Sequence, residues 1–152
     1  MQATVGPERW ALAVYMVVRD ARGRVLLLRR GREVKHFPGS WELPGGKQAP
    51  DEHFAKTAEL EVTEETGLYV PPRGVAGAVE GRIPGLRVVM LILEGVAAET
   101  NVTLSSEHDA YRWVTLRQVC SLNLRPGFDR FFASYKSSRK SPTIKSKRRA
   151  SK

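Results

Sequence analysis

Residues 59–68, ELEVTEETGL, carry four glutamates, Glu59, Glu61, Glu64 and Glu65, and no lysine or arginine. Apolar residues at helical spacing and a glycine stop at Gly67 predict the C-terminal end of a helix. That end carries partial negative charge, so each carboxylate there costs about 0.3–1 kcal/mol. Like charges one turn apart, as at Glu61 and Glu65, add about 0.2–0.5 kcal/mol. At about 100° per residue, Glu61, Glu64 and Glu65 share one third of the helix circumference. They lie beside an apolar stripe of Ala55, Ala58 and Val62 that would face a sheet. Carboxylates crowded in a groove raise one another's pKa unless a cation intervenes. A hard divalent ion, Mg²⁺ or Mn²⁺, takes carboxylate oxygens and reverses that repulsion. A solvated acidic face is the commoner explanation of three glutamates on a helix, so the surrounding residues must decide.

Upstream lies Gly45-Gly46, and after five further residues Glu52. Glycine leaves the backbone free to approach a metal or phosphate closely. Gly46, Glu52, Glu61, Val62, Glu64, Glu65, Gly67 and Leu68 together resemble the Nudix box, G-x5-E-x7-R-E-U-x-E-E-x-G-U with U aliphatic. The six fixed glycine and glutamate positions would coincide by chance about once in 10⁷ windows. GSWELPGG (39–46) is similar to the segment that precedes the box, and EHDAYRWV (107–114) to the Glu-containing loop and Trp-Val strand that follow it. The likeness runs over roughly residues 8–135.

The resemblance implies an α+β Nudix fold, an α/β/α sandwich with a central mixed β-sheet. It also implies MutT-like hydrolysis of a nucleoside diphosphate linked to a moiety X, with Mg²⁺ or Mn²⁺ as cofactor. Carried over position by position, Glu61 is the general base and also touches the metal. Glu64, Glu65 and the Gly46 carbonyl are metal ligands, and Glu52 supports the geometry. Glu107 is a further ligand or alternative base, or else an ordinary loop acid. Leu60 stands where the family has arginine and can neither hold nor neutralise the glutamates. A nucleoside triphosphate or oxidised nucleotide is the first expected substrate, and ADP-ribose the second. The alternative is a nucleotide- or RNA-binding module with a degenerate site.

For the substrate, Arg29 and Arg30 at a strand end are candidates to clamp a phosphate, or are strand-edge charges. Trp41, Phe37 and Trp10 are candidates to stack on a base, although strand aromatics more often fill the core. Asn123 lies near where MutT-like members place a residue that reads a purine edge. Pro84 meets the spacing of ADP-ribose hydrolases but also reads as a turn with Gly85. His36, His53 and His108 are scattered and read as surface histidines. Cys120 reads as a small core residue rather than a nucleophile.

The elements that must place these groups follow from punctuation and pattern. Residues 10–19 and 24–30 read as a β-hairpin, and 36–46 as loop, short strand, loop. A helix is expected to start at Pro50-Asp51-Glu52, where acids suit the positive end, and to end at Gly67. Residues 74–83 and 86–97 form a second hairpin and 110–116 another strand. Short helical patterns follow at TLRQVCSL and PGFDRFFASYK.

A chain of 152 residues fits one domain, expected over 1–135. The formal charge of +9 comes almost entirely from 136–152, which hold eight basic residues and no acid, leaving seventeen basic against sixteen acidic elsewhere. That tail reads as a disordered, solubilising appendage; the sharper reading is a tether making a weak nucleic-acid contact. No apolar run approaches the ~20 residues of a membrane span, so no membrane partner is expected. One cysteine fits a reducing, cytoplasmic setting. A nucleotide is the expected small-molecule partner, and the chain is expected to be a monomer or homodimer.

Overall fold

Runs of Val, Leu, Ile and aromatics become strands, and the acidic segment becomes a helix laid across them. The computed structural model describes residues 9–138, with side chains through Tyr135. In chain order the elements are β1 (Trp10–Arg19), β2 (Val25–Arg30), β3 (Trp41–Glu42), β4 (Gly45–Lys47), α1 (Phe54–Thr66), β5 (Gly74–Ile83), β6 (Leu86–Val96), β7 (His108–Val114), α2 (Leu116–Val119) and α3 (Phe128–Ser138). The sheet runs β3-β2-β1-β6-β5, with β4 on β1 and β7 on β2. It is mixed: β1 and β6 are parallel from Trp10↔Arg87 to Arg19↔Val96, and the other pairs are antiparallel.

The first hairpin is only partly what the sequence suggests. Its turn is firm, because the Asp20 carboxylate accepts the Arg22 and Arg24 backbone N–H groups at 3.0 and 2.8 Å. Yet β1 and β2 pair only at Arg19↔Val25 and then diverge. The opening between them admits WELPGG. β4 pairs with β1 from Ala13↔Lys47 to Tyr15↔Gly45, while β3 pairs with β2. Gly45-Gly46, expected in a loop, is therefore strand. Gly45 has φ 152°, and a Cβ there would overlap the Val14 carbonyl. Only glycine lets the two backbones approach so closely.

β1 alternates between two cores. Val14, Met16 and Val18 face α1, where Ala58 and Val62 are fully buried and Ala55 partly so. Tyr15 and Val17 face the other layer, with Val119 of α2 and Phe128, Phe132 and Tyr135 of α3. Each fully buried Val, Met or Phe among them contributes about 1.5–3 kcal/mol. Helices thus cover both faces of the mixed sheet, as expected of an α/β/α sandwich.

α1 starts later than expected. His53 is its N-cap, its Nδ1 accepting the Ala55 N–H at 3.2 Å, and no acid lies in the first turn. Asp51 sits outside with φ 61°, a left-handed conformation that Asp tolerates and a helix does not. The other end is as expected: Gly67 has φ 76°, and its N–H reaches the Thr63 carbonyl at 2.8 Å. β7 begins and ends two residues before the expected 110–116 strand, and α2 is a single turn. α3 runs to Ser138, three residues into the expected tail. The rest of the tail, 139–152, lies outside the described residues.

Candidate functional site

α1 carries its acids past β4. Glu61 lies directly over Gly46, where an added Cβ would come within 2.8 Å of its Oε1. Glu65 is only 5% exposed, and its Oε1 accepts the Gly45 N–H at 3.1 Å. Glu64 is exposed and Glu61 half-buried. Burial raises the Glu61 pKa, and Glu64, Glu107 and Glu52 raise it further. Burial pushes Glu65 up to about 9 against the opposing Gly45 hydrogen bond, with Glu42, Glu61 and Glu107 adding to the rise. Glu107, in the loop before β7, is exposed; its carbonyl accepts the Gly31 N–H at 2.9 Å. One carboxylate oxygen each of Glu65 and Glu107 and a ring nitrogen of His108 lie within 4.8 Å of one another. The helix therefore delivers Glu61 and Glu65 to a glycine cradle and leaves Glu64 at the rim.

A second polar cluster adjoins the first, and the sequence did not reveal it. Glu42 is 3% exposed and accepts hydrogen bonds from Arg30 Nη1 (2.9 Å), His108 Nε2 (2.8 Å) and Arg125 Nη1 (2.9 Å). These partners hold its carboxyl below the usual range although burial opposes them, with the His108 bond first among them and the two guanidiniums next. Arg125 also lies 3.3 Å from the Tyr15 hydroxyl, whose pKa burial lifts to about 12. His108, expected at the surface, is 4% exposed. The available signal was the pairing of Arg30 with His108 across β2 and β7, which puts both on the face that Glu42 enters; it needs the register, which no local pattern supplies.

The remaining expected residues are dispersed. Arg29 pairs with Asp109 at 2.7 Å on the exposed side. Arg30 is committed to Glu42 and to the His36 carbonyl. Trp41, 9% exposed, packs in the core on the face away from α1, and the Arg29 guanidinium lies 5.7 Å from its ring centre. Asn123 is exposed, and its backbone carbonyl accepts the Trp41 N–H at 2.8 Å. Phe37 lies under Arg125, and Trp10 under Arg87. Glu52 accepts the Thr57 hydroxyl at 2.6 Å, bracing the chain before α1. Leu60 is 46% exposed. Cys120, expected in the core, is exposed at the end of α2. Pro84-Gly85 is the two-residue turn between β5 and β6.

A divalent cation fits this chemistry. Two crowded acids have raised pKa values, and the backbone beside them is bare because a side chain there would collide with Glu61. Hard oxygen ligands around Mg²⁺ or Mn²⁺ would relieve that repulsion.

A glycine strand set under an acidic helix, in a mixed sheet covered on both faces, is an arrangement suited to a pyrophosphohydrolase. The chain belongs to the Nudix hydrolase family: the NUDIX domain profile matches residues 9–135. It is 31% identical over 118 residues to a MutT-like protein of Streptomyces ambofaciens, covering 78% of this chain and 72% of that one. It is 28% identical over 113 residues to the nucleoside triphosphatase NudI of Klebsiella pneumoniae (strain 342), covering 67% and 80%. The crystal structure of a MutT protein from Methanosarcina mazei Go1 superposes with a TM-score of 0.84 at 32% identity, covering 91% of this chain and all of that one. No helix among the described residues is long and apolar enough to cross a membrane.

Proposed function

We propose that the chain hydrolyses nucleoside triphosphates to a nucleoside monophosphate and pyrophosphate. Glu61 acts as general base, and Glu61, Glu64, Glu65 and the Gly46 carbonyl hold a divalent ion. The observation that carries this reading is the Glu61 carboxylate lying against the bare backbone of Gly46, with Glu65 buried beside it. Bound there, Mg²⁺ or Mn²⁺ supplies positive charge that offsets the diphosphate oxygens and the carboxylates. Glu61 accepts the proton of the attacking water. Glu65, bonded to the Gly45 N–H, fixes the helix against β4 and so fixes where Glu61 points. Glu107 closes the cluster from the β7 side, where it also raises the pKa of Glu61. The nucleoside triphosphatase relatives support the substrate class. ADP-ribose is the second reading, and its one sequence signal, Pro84, is accounted for by the tight β5–β6 turn.

The test is a panel of nucleotides with Mg²⁺ or Mn²⁺, products identified by mass and the attacked phosphorus by placement of ¹⁸O from labelled water. Nucleoside triphosphates are expected to give the monophosphate and pyrophosphate. Glu61→Gln should lower turnover at least about a hundredfold with the fold intact by circular dichroism. Turnover like that of the parent would remove Glu61 from the role of base, and turnover of ADP-ribose alone would replace the substrate.

A further inference from the structure

The geometry of His108 goes unused by the proposed reaction. The Glu42 carboxylate already accepts two guanidinium bonds, so its 2.8 Å contact with His108 Nε2 takes an N–H from the ring. In the neutral ring the lone pair is then on Nδ1. That atom is buried and has no hydrogen-bond partner, one of two such side-chain atoms among the described residues. Buried acceptors are normally satisfied, and one that is not calls for an explanation. The same ring places a nitrogen within 4.8 Å of carboxylate oxygens of Glu65 and Glu107. That span is close to two metal–ligand bonds of about 2.0–2.6 Å meeting at one ion. A carboxylate that orients an imidazole, which in turn faces a cation, is a recurrent second-shell arrangement in metal sites.

We propose that His108, oriented by Glu42, supplies a nitrogen ligand to the divalent ion shared by Glu65 and Glu107, and biases the site toward a first-row transition ion over Mg²⁺. This rests on the reading that a divalent ion sits among these carboxylates. Imidazole nitrogen adds affinity for transition ions and little for Mg²⁺, which prefers oxygen and keeps its water. The all-oxygen set of the box leaves that preference weak; one nitrogen alters it.

The test uses the full chain loaded with Mn²⁺ and read by electron spin-echo envelope modulation. A ¹⁴N modulation from a directly bound imidazole is expected, replaced by the ¹⁵N pattern when the protein is made with ¹⁵N-histidine. Because this comparison needs no variant, it does not depend on how well a substituted core folds. In His108→Gln the modulation should vanish, and Mn²⁺ affinity by calorimetry should fall about tenfold or more while Mg²⁺ affinity changes little. Absence of the modulation in the parent protein, or its persistence as ¹⁴N after histidine labelling, overturns the proposal. A parent that hydrolyses nucleoside triphosphates without nitrogen coupling fails this inference alone. Nitrogen-coupled Mn²⁺ in a protein that turns over no nucleotide fails the substrate reading alone.

Discussion

At Leu60 the chain departs from its family's box, and the structure shows what the departure does locally. The side chain is 46% exposed on α1 and brings no charge to the acids. Lys56 is engaged nearby with Glu59 at 3.4 Å, an exposed pair of the kind worth about 0–1 kcal/mol at most. The charges acting most strongly on Glu61 and Glu65 are other carboxylates. Neutralisation at this site is left to a proton, which Glu65 holds in the metal-free protein, or to a cation that displaces it. Glu42 is the opposite case, a single carboxylate shared by Arg30, Arg125 and His108. Replacing it by a side chain of similar size, Glu42→Leu, leaves two mostly buried guanidiniums without their anion. The expected loss is about 3–5 kcal/mol in urea unfolding. A loss below about 1 kcal/mol would mean that the arginines find other partners and that the cluster does not hold the loops around the site.

Among the elements, α1 and its strand partner β4 decide where the chemistry sits, and a helix cap is the simplest place to test that. Gly67 ends α1 at φ 76°, and an added Cβ would meet Thr103 no closer than 3.5 Å. Space is not the constraint there; handedness is. Gly67→Ala should cost about 1–2 kcal/mol by urea unfolding, from the left-handed conformation alone. An unchanged midpoint would show that the last turn of α1 unwinds without consequence. This cap, the apolar stripe of Ala58 and Val62, and the box spacing were legible because each is local, read within one helix. What escaped was long-range. The sequence could not show that β1 abandons β2 for β6 and β4, since that depends on a backbone contact at Gly45 with Val14. Asp51 and Glu52 looked like first-turn acids, but the left-handed backbone at Asp51 delays the helix until His53 caps it. Glu42 lies in a two-residue strand, too short for an alternation to show which way it faces. It is buried because β7, more than sixty residues later, brings His108 across to it.

For the molecule as a whole, the two buried carboxylates pull stability in opposite directions with pH. Glu42 has a folded pKa below its ordinary value of 4.5, so its contribution is complete above that value and is lost as acid protonates it in the folded state. Glu65 has a folded pKa raised from 4.5 to about 9, so between those values the folded protein holds a proton that the unfolded chain releases. Its contribution is fully present below 4.5 and declines as pH rises toward 9. With metal removed by chelator, the melting temperature should therefore fall between about pH 6 and 9, and more steeply in the parent than in Glu65→Gln, which titrates nothing there. A divalent ion that binds only the folded state stabilises it in proportion to the logarithm of its concentration over the dissociation constant. It also competes with the proton on Glu65, so saturating Mg²⁺ or Mn²⁺ should raise the melting temperature more at pH 8 than at pH 6. Differential scanning fluorimetry across that range, with and without metal, separates the two terms. A metal-induced shift that is the same at both pH values, in a parent that melts no differently from Glu65→Gln, would show that Glu65 neither holds the proton nor yields it to a cation.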